Sequence, residues 1–384
     1  MTEKLYYENQ YIKEFEAEVI SSAHNKGKYE IILDKTAFFP EGGGQPGDRG
    51  FIGEARVIDT VERDGEIYHI CDRDVSGKVN CKLNWDFRFL NMQQHTGEHV
   101  FSGILHQLTG FDNVGFHMGE NEVTVDFNGV VTPEQLIETE DRANDAIYRS
   151  IPVEALYPSR DELKNYDYRS KKEIEGQVRL VRIEGVDLCA CCGTHTATTS
   201  EVGIVKVTSC VNYKQGVRIS LQIGKKALLD YREKNKSVAE ISALLCKKTS
   251  EVTQGVEKLK EKNAELNYQL NEAIGKLLSL RCEGVTEDFP AVFDESGNAE
   301  NARILADILK DKLDVAFAFS GNDETGYKYS VASKNTDVRE ISKNLNSALN
   351  GRGGGKPEMT MGSLSASREE IEKYIDSIRK EKLS

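Results

Sequence analysis

The chain lacks any apolar run approaching the roughly 18 residues that a membrane helix requires, which excludes a helical membrane span. Its start, MTEKLYYENQYIKEF, lacks the basic, then apolar, then small-residue layout of a secretory leader, and this predicts a cytoplasmic address. Cysteine is sparse: eight in 384 residues, too irregularly spaced for a disulfide framework. Positive charge is also short. A net charge of −13 argues against unspecific polyanion binding, so a polyanionic partner has to be met by a local basic surface. What is there is a chain of 39% hydrophobic and 29% charged residues, long enough for two or three globular domains with separate cores. Three of the eight cysteines crowd into LCACCGTH, residues 188–195, a pattern of metal chemistry in a reducing compartment.

From Leu5 to about Trp85 apolar and polar residues alternate between Gly and Asp-Gly turn signals, predicting a small antiparallel barrel over residues 1–86. Its one long irregular insert is PEGGGQPGDRGF, Pro40 to Phe51, where glycines free the backbone for close approach to a ligand. Residues 87–224 mix helices and strands as an α+β domain. DFRFLNMQQHTGEHVFSGILHQLTG is a helix ending at Gly110, and Thr132, Pro133 and Gln135 open a second one as N-cap, first helical residue and capping-box partner. Residues 225–282 form a helical linker. Leu245, Thr249, Val252, Val256, Leu259, Asn263, Leu266, Leu270, Ala273, Leu277 and Leu280 follow the 4-3 spacing of a coiled coil. Gly255 is a position at which this stretch would bend into a hairpin, with a single helix as the alternative. Lys225 to Lys262 holds ten Lys or Arg against six Asp or Glu, a locally basic stretch in an acidic chain. Residues 283–384 alternate strand and helix as a small C-terminal α/β domain, with Ile304, Leu305, Ile308 and Leu309 on one helix face and NGRGGGKPEM as a glycine-rich loop.

The chemistry concentrates in two four-residue spacings. His95 and His99 lie one helical turn apart, and Cys191 and His195 repeat the interval inside the cysteine cluster. Three imidazoles and one thiolate make a tetrahedral set suited to one Zn²⁺ ion. HTGEH also matches the H-x-x-E-H pattern of inverted zinc peptidases, in which Glu98 would be the general base. Against that reading, such enzymes keep a metal position open for water, whereas a cysteine and a third histidine here close the shell.

TAFFPEGGGQPGDRG, QQHTGEH, VGFHMG, CCGTH and GRGGGKPEM, in this order, resemble the editing half of alanyl-tRNA synthetase and its free-standing long AlaX form, over essentially the whole chain. The resemblance implies an antiparallel β-barrel, a zinc-bearing α+β editing domain, a long helical linker and a DHH-associated C-terminal domain. No segment resembles an aminoacylation domain. The implied activity is trans-editing: hydrolysis of the ester that joins serine or glycine to alanine tRNA. A synthetase pocket for alanine rejects glycine and serine poorly, so a second sieve is needed.

The resemblance further implies that His95, His99, Cys191 and His195 bind zinc, and that Thr36, Gln45 and the run Gly42, Gly43 and Gly44 lie beside the aminoacyl group, with Thr36, Gln45, His95 and His99 serving the reaction. His117 and Asp126 are further candidates for substrate contact, with a structural polar role as the alternative. Cys189 and Cys192 compete with Cys191 as thiolate ligand, and only the four-residue spacing to His195 favours Cys191. Arg352, Gly353, Gly354, Gly355 and Lys356 are the expected RNA contacts, by charge and by backbone N–H groups that approach phosphate. The heptad seam implies a homodimer through the helical and C-terminal regions.

Overall fold

Period-two alternation places Ala17, Ile31, Leu33, Ile52, Ala55, Val57, Cys71, Cys81 and Leu83 on the buried side of six strands. These are β1 (Glu14–Asn25), β2 (Lys28–Leu33), β3 (Gly50–Ile52), β4 (Ala55–Arg63), β5 (Glu66–Cys71) and β6 (Lys78–Leu83). They pair antiparallel in the order β1-β2-β5-β4-β3-β6, and β6 returns to β1, so the ring closes. This computed structural model describes residues 2–119, 121–170, 177–286 and 289–383. The chain divides into two compact units, Met1–Glu240 and Ile241–Ser384, a division that falls inside the stretch expected to be linker.

Helix α1 (Trp85–Thr109) starts at Asn84, whose side chain accepts from Phe87 N–H, and stops at Gly110 in the left-handed conformation, as its sequence indicates. It lies against the antiparallel sheet formed by β7 (Asn113–Met118), β8 (Val123–Phe127), β12 (Val205–Tyr213) and β13 (Gly216–Ile223), in the order β12-β13-β8-β7. Between these in sequence come α2 (Pro133–Tyr148) and a three-stranded sheet, β9 (Val153–Leu156), β10 (Leu180–Ile183) and β11 (Asp187–Ala190). The capping box of α2 forms as expected, Thr132 accepting from Gln135 N–H and Gln135 reaching back to Thr132 N–H. Val100, Phe101, Ile104 and Leu105 of α1 meet Val125, Ile219 and Leu221 of the sheet in one core. Each such side chain contributes roughly 1.5–3 kcal/mol on burial. Close packing of helix on sheet depends on Gly97, since a Cβ there would lie 2.6 Å from Ile223 Cγ2.

Helix α3 (Lys225–Leu244) and helix α4 (Val252–Arg281) replace the continuous seam expected from Leu245. The break falls at Leu245–Lys248, where Cys246 takes φ +50°, and not at Gly255. Gly255 lies inside α4, and its missing side chain admits Leu245, whose Cδ1 would be 2.9 Å from a Cβ. From Val252 onward the seam lies in one helix, with Val256, Leu259, Leu266, Leu270, Leu277 and Leu280 all exposed.

The second unit ends in a five-stranded sheet, β14 (Ala291–Asp294), β15 (Ala316–Asn322), β16 (Gly326–Ala332), β17 (Gly351–Lys356) and β18 (Met359–Leu364), ordered β14-β15-β16-β18-β17. Helices α5 (Ala299–Leu309), α6 (Arg339–Ala348) and α7 (Arg368–Leu383) accompany it. The glycine-rich stretch read as a loop is instead the edge strand β17, paired residue by residue with β18. Glycine is needed there for space: a Cβ at Gly353 would lie 2.7 Å from the Tyr329 hydroxyl, and one at Gly362 would lie 2.4 Å from the Tyr329 ring.

Candidate metal centre

Along α1, His95 and His99 stand one turn apart and both are buried. Strand β11 leads directly into the second donor pair, Cys191 and His195. The turn between them packs so tightly that a Cβ at Gly193 would lie 2.2 Å from the His95 ring. The donor atoms of His95, His99, Cys191 and His195 all lie within 4.8 Å of one another.

Each imidazole is oriented from outside the cluster. Gln45 Oε1 lies 3.0 Å from His95 Nδ1 and also accepts from Thr194 N–H at 3.1 Å. A backbone N–H only donates, so that atom of the amide is the oxygen, and His95 Nδ1 carries the proton. Asp187 Oδ2 lies 2.8 Å from His99 Nδ1, while Asp187 Oδ1 accepts from Arg169 Nε at 2.8 Å. Thr96 Oγ1 stands 3.5 Å from His195 Nδ1. The three Nε2 atoms are left for the centre. His195 Nε2 is buried and lacks a hydrogen-bond partner, and a lone pair in that state suits a cation ligand.

The electrostatics separates the three cysteines. Burial opposes ionisation of Cys191, but His95 and the adjoining imidazoles of His195 and His99 outweigh it and hold the thiol well below its ordinary value. Burial pushes Cys189 up, and it pushes Cys192 up as well, aided by Cys191. The thiolate is therefore favoured at Cys191, the residue at the four-residue interval. Burial and His95 lower His195 to about 3, leaving it a neutral ligand at pH 7. Burial also works against protonation of His99, but hydrogen bonding to Asp187 and Cys191 raises it to about 9. These four residues can hold a metal ion, and an ion bound there would displace the His99 proton, since zinc takes neutral imidazoles and a thiolate.

Beside the cluster is a cavity of about 750 Å³. Gly43 and Gly44 form one wall, at φ +61° and +85° in a tight turn closed by two hydrogen bonds between Gly42 and Gln45. Both central positions need positive φ, which glycine supplies without strain. Phe116 and Cys192 line other parts of the cavity, and a Cβ at Gly44 would meet Phe116 Cδ1 at 2.6 Å.

The remaining expected residues lie elsewhere. Thr36 is buried, bonded to His69 Nε2 at 2.8 Å and accepting from Phe38 N–H, and it does not line the cavity. His117 is exposed on β7, on the strand face opposite its neighbour Phe116. Asp126 pairs through both oxygens with Arg218, at 2.7 and 2.8 Å. Glu98, the base of the peptidase reading, gives Oε1 to Ser102 and Asn113 and does not line the cavity. Arg352 to Lys356 lie on β17, where Gly353, Gly354 and Gly355 border a cleft of about 420 Å³ opposite Arg339 and Lys343 of α6. Thr360 in that cleft keeps a buried hydroxyl without a partner. Asp187, Arg169, Thr96 and Thr194 were not legible as site residues, because nothing in their spacing ties them to the donors they orient.

Three family models match the chain. The threonyl and alanyl tRNA synthetase second additional domain matches residues 178–239, class II (A) tRNA synthetases match residues 2–87, and the DHHA1 domain matches residues 285–381. The chain is 32% identical to alanyl-tRNA editing protein AlaX-L of Pyrococcus horikoshii, over 97% of this chain and 96% of that protein. It is 27% identical to alanyl-tRNA editing protein Aarsd1-A of Xenopus laevis, over 91% of this chain and 88% of that protein. Identity to the alanine–tRNA ligase of Ignicoccus hospitalis is 33%, over 70% of this chain but 32% of that enzyme.

Proposed function

The chain belongs to the family of alanyl-tRNA editing proteins, and on that premise we propose that it removes serine or glycine wrongly attached to alanine tRNA, by zinc-dependent ester hydrolysis at the His/Cys cluster. As a member of the family it is an aminoacyl-tRNA deacylase with tRNA as its partner. The observation that carries the finer reading is a complete four-donor group beside a cavity with a glycine wall.

His95, His99, Cys191 and His195 would hold one Zn²⁺ ion. Zinc bound there supplies Lewis-acid polarisation of an ester carbonyl and a means of holding a water. Gln45 acts through His95, fixing the ring and, through Thr194, the turn that carries His195. Gly43 and Gly44 let the aminoacyl group approach the backbone. Thr36 donates its proton to His69, whose Nδ1 faces the Ile31 carbonyl, and accepts from Phe38 N–H, so it acts from behind the cavity, on the strand end that leads into the glycine turn.

The same proposal assigns tRNA contact to Gly353 to Gly355 at the cleft of the second unit and to Arg352 and Lys356 on the same strand. It assigns dimerisation to the exposed heptad seam of α4 and a cytoplasmic working place to the protein. Among the described residues no helix is long and apolar enough to cross a membrane.

The test is hydrolysis of Ser-, Gly- and Ala-charged alanine tRNA by the purified chain, beside His99→Ala and Glu98→Gln. Serine or glycine should be released while alanyl-tRNA is spared, and His99→Ala should abolish release. Glu98→Gln should retain it, where a peptidase would lose its base. A folded, zinc-loaded protein that binds tRNA and hydrolyses none of the three is a tRNA-binding module instead.

A further inference from the structure

The cavity at the metal centre, about 750 Å³, is larger than an amino acid needs, and part of its lining has a composition of its own. Tyr7, Tyr157 and Arg179 line it together with the cluster residues. Tyr157 is 47% exposed, an aromatic ring left open to solvent at the rim of a functional cavity. Arg179 Nη1 donates to the carbonyls of Cys191 at 2.8 Å and Gly193 at 3.1 Å, and its Nε donates to the Tyr157 hydroxyl at 3.2 Å. Its guanidinium carbon lies 5.2 Å from the centre of the Tyr7 ring. Tyr7 in turn donates to the Cys192 carbonyl at 3.0 Å. These partners are neutral, so no carboxylate among the described residues balances the Arg179 charge. A guanidinium fixed to the donor-bearing turn without a carboxylate partner among the described residues is a local positive charge in a chain of net charge −13.

The order of groups in the substrate matches this order of residues. In an aminoacyl ester of tRNA the amino acid is followed by the terminal ribose, then its base and the phosphate 5′ to it. With the ester at the His/Cys cluster, the next groups outward fall at the rim. Single-stranded RNA ends are held by stacking of bases on aromatic rings and by cations at phosphate. A volume of about 750 Å³ is of the size that buries a ligand as large as an aminoacyl nucleoside.

We propose that Tyr157, Arg179 and Tyr7 form the seat of the substrate's terminal nucleoside, its base stacked on Tyr157 and its 5′ phosphate paired with Arg179. Tyr7 backs the guanidinium and keeps it in place. The seat rests on the editing reading of the same cavity, and it gives that site a means of recognising an RNA end as opposed to a free amino-acid ester.

The test uses the full-length, zinc-loaded protein and adenosine carrying serine on its 3′ position through an amide, which cannot be hydrolysed. Calorimetric titration should show Tyr157→Ala weakening this probe roughly 5- to 150-fold, with zinc content unchanged and Tyr157→Phe recovering most of the affinity. Wild type should bind the 5′-phosphorylated probe more tightly than the unphosphorylated one, and Arg179→Gln should erase that preference. In the hydrolysis assay KM should rise more than kcat falls. Equal binding of the probe by wild type and Tyr157→Ala, or a phosphate preference that survives Arg179→Gln, overturns the seat. Absence of hydrolysis by wild type would instead strike the editing reading, while the titrations still report on the nucleoside.

Discussion

Asparagine at position 187 removes a group that serves two partners at once. Asp187 offers Oδ2 to His99 and Oδ1 to Arg169, each at 2.8 Å, with the carboxylate 2% exposed. Burial opposes its ionisation, but His99 and Arg169 together keep its pKa below the usual carboxylate value. An amide has one acceptor oxygen and an NH₂ in place of the other, so Asp187→Asn leaves one partner facing a donor. With the oxygen on His99, the largely buried Arg169 charge loses its counter-ion, a destabilisation on the order of 3 kcal/mol. With the oxygen on Arg169, His99 loses the acceptor that aims its Nε2 at the cluster. Loss of such an outer partner lowers metal affinity about 10- to 100-fold, or about 1.4–2.7 kcal/mol. The assay is zinc competition against a chromogenic chelator, with thermal unfolding of the zinc-loaded and zinc-stripped protein alongside. The variant should bind zinc at least tenfold more weakly, and the interval between its two unfolding temperatures should narrow. Wild-type zinc affinity in a destabilised Asp187→Asn protein would refute the orienting role and leave Asp187 only as the counter-ion of Arg169.

Gly44→Ala should lose about 1–2 kcal/mol from the left-handed backbone alone, and more from contact with Phe116, so both the melting temperature and the deacylation rate should fall. A variant as stable and active as wild type would show that the turn relaxes freely. Burial lowers His69 to about 4 despite its bond to the Ile31 carbonyl, so the folded chain resists a proton that the unfolded chain accepts below about pH 6.5. The neutral ring therefore contributes fully above pH 6.5, and the contribution fades towards pH 4, by about 3 kcal/mol. Denaturant titrations of wild type and His69→Gln from pH 7 to 4 should converge by that amount; a constant gap would contradict it. Leu266→Glu with Leu270→Glu should turn a dimer into a monomer in sedimentation, since four leucines at roughly 1.5–3 kcal/mol each leave the interface. Wild type that sediments as a monomer at micromolar concentration would remove the dimer.

Elements whose signals are local were legible in the chain. The ends of α1 and α2 follow from Gly110 and from the Thr132 capping box, because caps are decided by a few neighbouring residues. The glycine-rich stretch near residue 353 was misread because glycine signals freedom, whereas its use here is to fit a strand against Tyr329. The linker break falls away from Gly255 for a similar reason: Gly255 gives space to Leu245 across the turn and stays inside its own helix.

The sequence by itself placed His95 and His99 on one face, since a one-turn interval does so wherever the helix lies, and it determined the family through motifs in order. Only the tertiary structure decided which groups stand behind those donors. Gln45 reaches His95 across 50 residues, Asp187 reaches His99 across 88, and Thr96 nears His195 across 99. No periodicity spans such separations. They arise where α1, the glycine turn and the end of β11 are packed together, and that packing favours ionisation at Cys191 over Cys189 and Cys192, orients the imidazoles and sets the composition of the cavity rim.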